Sequence, residues 1–301
     1  MPELPDIETY TEALRVRVIG RLLLKSYVFT PFLVRTVDPP LSSFDGSVVE
    51  KVERLGKRIV LGFQSDQFLV IHLMISGRLT WKNGLWSGKR PAGKIGLACF
   101  EFESGVLNLT EASKHKRASV YCCSGRESLK TLDPGGIEPL ECDIGAFTEV
   151  LTAENRTLKR ALTNPKAFSG IGNAYSDEIL FNAKLSPVRL SQALSAEETR
   201  RLFDATRSTL IGGIESLRSH FAGKFPGPGE ITAFRPEFAM HGKFEQPCPE
   251  CGLPVQRIRY AENETNYCAK CQNEGRLLAD RALSRLLKQD WPKTIEEMVG
   301  Q

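Results

Sequence analysis

The amino terminus carries a pair of residues that could do covalent chemistry. Pro2 follows the initiator methionine and precedes Glu3. If Met1 is removed, Pro2 becomes a terminal secondary amine with a pKa of about 8, and part of it is unprotonated at neutral pH. Such an amine can attack an aldehyde-like carbon to form an iminium, and the adjacent carboxylate can move protons. The pair alone also fits an ordinary chain end.

Four of the eight cysteines form two Cys-x-x-Cys pairs, Cys248 with Cys251 and Cys268 with Cys271. This spacing is typical of a tetrahedral zinc site. Four thiolates leave no position for water, so the spacing predicts one structural Zn²⁺ that stabilises a small hairpin. The polar residues between the pairs could contact phosphate or form a solvated turn. They are Gln256, Arg257, Arg259, Asn263, Thr265 and Asn266.

A Gly-Ile-Gly-Asn turn, residues 170–173, directly precedes a predicted helix. The glycines allow close approach of the backbone, the helix start exposes N–H groups, and Asn173 adds a side-chain donor. The turn could therefore hold a phosphate. The same pattern also serves as a plain helix cap.

Composition and charge describe an ordinary chain, long enough for two domains. It has 301 residues, of which 41% are apolar and 25% charged, and a net charge of +4, which permits nucleic-acid binding without requiring it. Charged residues near the start exclude a secretory signal, and no stretch reaches about eighteen apolar residues. We therefore expect a cytoplasmic protein with reduced cysteines and no membrane partner.

In the first half of the chain, the sequence pattern predicts one helix followed by several β-strands. A helix is predicted over 5–19, where apolar side chains recur at helical spacing. Short β-branched and aromatic runs between glycines and prolines then predict an antiparallel sandwich or barrel. The runs are 22–29, 48–53, 58–63, 67–74, 95–102 and 118–122.

The second half reads as mainly helical. Helices are predicted over 144–163, 174–183 and 196–217, the last opened by the capping box Ser195-x-x-Glu198. The predicted divisions are a β-sandwich domain over 1–132, a linker over 133–143, a helical domain over 144–235, a zinc finger over 236–272 and a helical extension over 273–301.

Five motifs occur in one order along residues 1–272. They are Met1-Pro2-Glu3-Leu4-Pro5, Arg54-Leu55-Gly56-Lys57-Arg58, His72-Leu73 with Ser76-Gly77-Arg78, the turn at Gly170 to Asn173 continuing to Glu178, and the four cysteines closing on Gln272. With these motifs in register, the chain resembles the formamidopyrimidine-DNA glycosylase and endonuclease VIII family of base-excision repair enzymes.

The resemblance implies an α+β multi-domain fold. An N-terminal helix and an antiparallel β-sandwich would be followed by a helical domain with a helix-two-turn-helix and by a four-cysteine zinc hairpin. It also implies a monomeric, bacterial-type enzyme that acts on damaged DNA at the nucleoid, as a bifunctional DNA glycosylase and apurinic-site lyase.

The catalytic residues would be Pro2, Glu3 and Lys57. Pro2 would attack the sugar C1′ of an extruded damaged nucleotide, leaving a Schiff base that undergoes β- and then δ-elimination. Glu3 would protonate the ring-opened sugar, and Lys57 would meet backbone phosphate from a β-hairpin. The alternative for Lys57 is a solvated surface charge.

The resemblance implies further DNA contacts. Asn173 would grip phosphate in the helix-two-turn-helix, and Lys159 aligns with a lysine near the lesion, with a solvated charge as the alternative. Met74 or Ile75 could fill part of the gap left by the extruded nucleotide.

The chain departs from the family pattern at three places. The arginine of the family's zinc hairpin is replaced by Asn263, and Arg257 or Arg259 could compensate. Residues 114–117, Lys-His-Lys-Arg, stand where an aromatic wedge is expected, and Asp6 stands where glutamate is usual.

Two other functions remain open from the sequence. One is a catalytically silent damaged-DNA-binding protein that uses the same helix-two-turn-helix and zinc hairpin. The other is an RNA-binding protein with a similar helical turn. The Pro2–Glu3 pair argues against the first, and the β-rich domain argues against the second.

Overall fold

The computed structural model describes residues 1–91, 93–260, 263–279 and 292–299. The chain divides into two compact units. Residues 1–134 and 213–232 form the first unit, and residues 135–212 and 233–301 form the second. Among the described residues, no helix is both long and apolar enough to cross a membrane.

The first unit begins with helix α1, Leu4–Val18. Its start is fixed by a capping box, in which the Glu3 side chain accepts from the backbone of Asp6 and the Asp6 side chain accepts from the backbone of Glu3. The apolar face is fully buried, and it consists of Ile7, Tyr10, Leu14 and Val18. The predicted helix over 5–19 is confirmed to within one residue.

Eight antiparallel strands follow, in the spatial order β5-β7-β6-β1-β2-β3-β4-β8. They are β1 Leu22–Val28, β2 Ser47–Leu55, β3 Arg58–Phe63, β4 Gln67–His72, β5 Gly77–Lys82, β6 Gly96–Phe102, β7 Gly105–Glu111 and β8 Ser119–Ser124. The short helix α2, Arg126–Lys130, comes next.

The eight strands form two four-stranded halves that share one core. The halves are joined where Leu22 and Leu23 of β1 pair with Val48 and Ser47 of β2. Because both halves contribute alternate side chains to a single buried cluster, the predicted antiparallel sandwich is confirmed. Members of the cluster include Leu23, Phe100 and Leu107 from one half and Leu61, Leu69 and Val120 from the other.

Two strands were not expected from the sequence, β5 and β7. Each begins with a glycine and mixes polar with apolar residues, which is also typical of turns. In the structure they pair with each other along their whole length and point Leu79, Leu107 and Leu109 into the core. Tertiary pairing therefore decides their conformation.

The second unit contains α3 Ile144–Thr152, α4 Leu158–Leu162, α5 Asn173–Asn182 and the first part of α6 Ala196–Phe221. The single helix predicted over 144–163 is wrong. Residues between α3 and α4 bond to a neighbouring segment instead, since Leu158 N donates to Arg189 O and Ser191 Oγ donates to Glu154 O.

The capping box predicted for α6 is present. Glu198 N donates to Ser195 Oγ at 3.1 Å, and Ser195 N donates to Glu198 Oε2 at 2.8 Å. The unit closes with the hairpin β9 Gln256–Tyr260 and β10 Asn263–Tyr267, then α7 Ala269–Asn273 and α8 Ile295–Val299. Residues 280–291 and 300–301 of the predicted helical extension lie outside the described residues.

Candidate active site and nucleic-acid contacts

Of the three residues predicted to be catalytic, Pro2 and Glu3 lie at the start of α1, and Lys57 lies in the turn between β2 and β3. Pro2 is buried, Glu3 is 4% exposed, and Met1 is 37% exposed. Glu3 N donates to Asp6 Oδ2 at 2.8 Å, so the helix cap fixes the backbone next to Pro2. An exposed Met1 ahead of a buried proline is accessible to removal, which would leave the proline nitrogen in an enclosed, charged environment.

The electrostatics of this cluster favour an unprotonated amine. With Met1 in place, the pKa of the Met1 α-amine is lowered, chiefly by burial, with Glu3 acting in the opposite direction and Arg78 in the same direction as burial. Burial also lowers the pKa of the Lys57 amine, although Glu3 and Asp6 partly offset that effect. A neutral amine at this position can act as a nucleophile, and the neighbouring Glu3 carboxyl group can accept or donate a proton according to its protonation state.

Arg78, to which the sequence patterns assigned no role, lies beside this cluster in the structure. Its Nε donates to Ile231 O at 2.7 Å, and its Nη1 donates to Gly77 O at 2.7 Å and to Ile75 O at 3.2 Å. Arg78 therefore holds the turn before β5 and adds positive charge near the terminal amine. The Ser-Gly-Arg motif was the only signal for it.

His72, part of the same motif as Arg78, is not a proton carrier at neutral pH. Its pKa is lowered to about 4 by burial, and the positive charges of Arg58 and Lys57 act in the same direction. The imidazole is therefore neutral across the physiological range.

The turn between β4 and β5 carries the residues predicted to fill a gap in DNA. Met74 has a left-handed backbone with φ 52°, and it is half-buried. Ile75 is 51% exposed, which is high for a large aliphatic side chain. The structure therefore presents Ile75, and not Met74, as the exposed apolar tip of the turn.

Glu111, which the sequence did not single out, joins that turn to residues 112–117. It is 1% exposed. Its Oε1 accepts from Ser76 Oγ at 3.0 Å, and its Oε2 accepts from Arg117 N at 2.8 Å and from Ala118 N at 3.0 Å. Lys116 Nζ donates to its backbone oxygen. One buried carboxylate thus fixes both the turn that carries Met74 and Ile75 and the segment of residues 112–117.

In the second unit, Asn173 begins α5 after the glycine-rich turn. Gly170 adopts φ 78°, a conformation that favours glycine, and Gly172 caps the helix. Asn173 Nδ2 donates to Glu264 O of the hairpin at 3.1 Å. The positive end of the helix dipole at Asn173 attracts an anion, which suits a phosphate contact at this turn.

The structure shows that the surroundings expected for Lys159 were wrong. The sequence offered a DNA contact or a solvated charge, but the residue is 8% exposed. Its Nζ donates to Asp177 Oδ1 at 2.5 Å and to Asn173 O at 2.6 Å. Packing of α4 against α5 places the amine inside the unit, where it holds the Asn173 backbone.

The four cysteine sulfurs fit a zinc ion. All lie within 4.8 Å of one another, with Cys251 Sγ 3.4 Å from Cys268 Sγ and Cys248 Sγ 4.0 Å from Cys271 Sγ. A tetrahedral site with Zn–S bonds of about 2.3 Å needs sulfurs roughly 3.8 Å apart. The four thiolates would saturate the metal, so this is a structural zinc site. The sulfurs pack with Phe181, Met240 and Val255, joining the module to α5.

The hairpin arginines differ in how they are engaged. The Arg257 guanidinium lies 3.9 Å from the centroid of the Phe244 ring and 3.7 Å from Glu264 Oε2. Arg259 also lies 3.7 Å from Glu264 Oε2, but its side chain is 63% exposed against 30% for Arg257. Arg259 is therefore the more accessible cation. Asn263 begins β10, and its side chain lies outside the described part of the chain.

Comparison with known proteins agrees with this arrangement over three consecutive regions. Residues 1–129 match the formamidopyrimidine-DNA glycosylase N-terminal domain, residues 136–222 match the formamidopyrimidine-DNA glycosylase H2TH domain, and residues 245–273 match the zinc finger found in FPG and IleRS. Together these regions define a helix-two-turn-helix DNA-repair architecture with a zinc finger.

Individual relatives cover nearly the whole chain. The formamidopyrimidine-DNA glycosylase of Laribacter hongkongensis is 31% identical over 275 residues, which are 90% of this chain and 100% of the relative. That of Symbiobacterium thermophilum is 30% identical over 281 residues, 90% of this chain and 89% of the relative. This chain belongs to the formamidopyrimidine-DNA glycosylase family.

Solved structures show the same fold. The MutM (FPG) protein of Thermus thermophilus superposes with a TM-score of 0.75 at 28% identity and covers 91% of this chain and 100% of its own. The Lactococcus lactis Fpg in complex with N7-benzyl-Fapy-dG DNA gives a TM-score of 0.78 at 25% identity, over 90% and 100% of the two chains.

Proposed function

We propose that this protein removes damaged bases from DNA and then cleaves the resulting abasic site. The observation that carries the proposal is the buried Pro2 next to the buried Glu3, at a chain end where burial lowers the pKa of the Met1 α-amine. The names of its relatives support the substrate class, since the curated ones are formamidopyrimidine-DNA glycosylases and one solved structure holds Fapy-dG DNA.

The proposed reaction begins once Met1 has been removed. The neutral Pro2 nitrogen attacks C1′ of an extruded nucleotide, the bond from C1′ to the base breaks, and the base leaves with the proton that the Pro2 nitrogen gives up. Glu3 donates a proton to the sugar ring oxygen, the ring opens, and an iminium links Pro2 to C1′. Loss of the 2′ proton expels the 3′ phosphate, and a second elimination expels the 5′ phosphate. Hydrolysis frees the amine.

Phosphate contacts would hold the DNA in register. Lys57 in the first unit, and Asn173 with Arg259 in the second, are the residues we assign to the backbone. Arg257 supports the hairpin through Phe244. The structural zinc keeps that hairpin folded. We further propose that the protein acts as a monomer in the compartment that holds the chromosome.

Ile75 is the residue we assign to the gap left by the extruded nucleotide. Its side chain is apolar and half-exposed, as a stacking wedge requires, while Met74 takes the left-handed position in the turn. The cations of residues 114–117 would contact phosphate.

Glu3→Gln tests the proposal. Gln can accept hydrogen bonds but cannot donate an acidic proton, so base excision from a single-lesion duplex should fall by about 100-fold or more. Nicking of a preformed abasic site should fall less, because that substrate skips base removal. Glu50→Gln, a change at an exposed carboxylate of β2, should leave both rates unchanged.

The result also decides between an enzyme and a silent DNA-binding protein. A wild-type chain that binds an abasic duplex tightly but nicks neither substrate would support the silent protein. Equal losses of both activities in Glu3→Gln would contradict the role assigned to this carboxylate.

A further inference from the structure

A single buried carboxylate joins helix α5 to segments on both sides of it. Asp177 is 1% exposed, and its two oxygens have different partners. Oδ1 accepts from Lys159 Nζ at 2.5 Å, and Oδ2 lies 2.8 Å from His241 Nδ1. Because a carboxylate can only accept, Nδ1 of the histidine carries the proton. Asp177 thus binds α4 and the segment before the zinc module at the same time.

Further hydrogen bonds lead from Lys159, and from Gly242 next to His241, to the zinc hairpin. Both series end at Glu264. On one side Lys159 Nζ donates to Asn173 O at 2.6 Å, and Asn173 Nδ2 donates to Glu264 O at 3.1 Å. On the other side Gly242 N donates to Asn266 Oδ1 at 2.9 Å, and Asn266 Nδ2 donates to Glu264 Oε1 at 3.0 Å. Two series of hydrogen bonds therefore connect the zinc hairpin with the turn that carries Asn173.

The next residue of α5 fixes the same segment through its backbone. Glu178 accepts from the backbone N–H groups of Ala239, Met240 and His241 at 2.8, 2.9 and 2.8 Å. The His241 ring also packs near Phe234 and Phe238, with centroids 6.2 and 6.4 Å away. The histidine is therefore held both by its ring and by its backbone, and all these contacts lie within the second unit.

We propose that Asp177, with Lys159 and His241, is a positioning network that fixes Asn173 relative to the zinc hairpin. None of the three would touch DNA. They would let the turn and the hairpin present their phosphate donors as one preorganised surface, which avoids an ordering cost on binding. Loss of one partner would leave a buried charge incompletely paired and loosen the surface. This inference rests on the proposed function of Asn173 as a phosphate contact.

The test is a pair of variants of nearly equal size. In His241→Asn, the side-chain amide can donate from the position of Nδ1, whereas His241→Leu cannot donate. The dissociation constant for a duplex with an abasic-site analogue should rise about tenfold in the Leu variant and less than about twofold in the Asn variant. Zinc content and melting temperature are measured for both, so that a general folding defect is visible.

A double variant separates positioning from general stability. In an Asn173→Ala background, His241→Leu should have little further effect on affinity, because the residue that it positions is gone. An equal loss in both backgrounds, or equal affinities for wild type and His241→Leu, would overturn the inference.

A second readout needs no DNA. Hydrogen exchange at Gly242 N, which donates to Asn266, should be faster in His241→Leu than in His241→Asn. If the wild type fails to bind any DNA, the proposed function is wrong, and exchange still tests the network. Unchanged exchange in His241→Leu would contradict the network itself.

Discussion

At the scale of single residues, Lys57 is the amine that we propose as a phosphate contact, and the charges of Glu3 and Asp6 act on it. Burial lowers the pKa of its amine, while Glu3 and Asp6 favour the charged form. Lys57→Ala should weaken binding of damaged and undamaged duplexes by similar factors and make the salt dependence shallower by about one unit. Fluorescence anisotropy at several salt concentrations measures both.

The control for that prediction is Lys51→Ala, which removes an exposed lysine from the same strand pair. It should leave the affinity and the salt slope almost unchanged. If Lys57→Ala altered the order of preference among lesions, its assignment to the phosphate backbone would be wrong.

Local sequence patterns predicted some site residues well and others poorly. The cysteines of each pair are close in sequence, so their spacing carries the information, and the structure brings the four sulfurs together. The contact between Asp177 and His241 joins residues 64 positions apart, and no pattern in the chain indicates it. Lys159 reads as a surface cation by type, and only the packing of α4 on α5 shows that it is buried.

At the scale of elements, the turn before β5 and residues 112–117 are held together by one side chain. Glu111 accepts from both segments, so a change in either one reaches the other. Residues 114–117 provide cations and a histidine where a phenyl ring is expected. A cation does not stack in the place of the missing base. We therefore expect weak discrimination of the base opposite the lesion.

Ile75→Ala tests this element directly. Filling the gap in duplex DNA offsets an unstacking cost of a few kcal/mol, so the variant should excise a duplex lesion about tenfold more slowly. Excision from single strands, where no gap forms, should be unchanged. Val37→Ala, which truncates another exposed aliphatic residue of the first unit, is the control.

Rates for one lesion opposite each of the four bases, and in single strand, complete the measurement. The wild type should show similar rates opposite all four bases and good activity on single strands. A strong preference for one opposite base with little single-strand activity would mean that residues 114–117 form an inspecting wedge.

The sequence predicted helices and strands correctly where their hydrophobic residues follow one period without a break. Helix α1, helix α6 with its capping box, and the strands rich in β-branched residues follow from local pattern. Strands β5 and β7 do not, because each begins with a glycine and mixes polar with apolar residues, and each depends on pairing with the other. The break between α3 and α4 depends on hydrogen bonds to residues 189–191, which are remote in sequence.

At the scale of the whole molecule, zinc should control DNA binding without controlling the first unit. Cys268→Ser should lose the metal and unfold the hairpin, because metal binding supplies much of the folding free energy of so small a module. DNA affinity should fall by about tenfold or more, since the hairpin cations are no longer fixed.

The first unit has its own core, so its β-sheet signal and its cooperative melting should persist in that variant. Zinc analysis, circular dichroism and anisotropy together give the result. A metal-free chain that still binds DNA as tightly as the wild type would contradict the role given to the hairpin.

The central claim is that the terminal amine of Pro2 forms a covalent link with DNA. Borohydride added to the protein and an abasic-site duplex should trap an adduct, and peptide mapping should place it on an N-terminal peptide that starts at Pro2. Because only the unprotonated amine can attack, the trapping rate should rise with pH as the Pro2 amine loses its proton. Active enzyme that retains Met1, or an adduct on Lys57, would contradict the account.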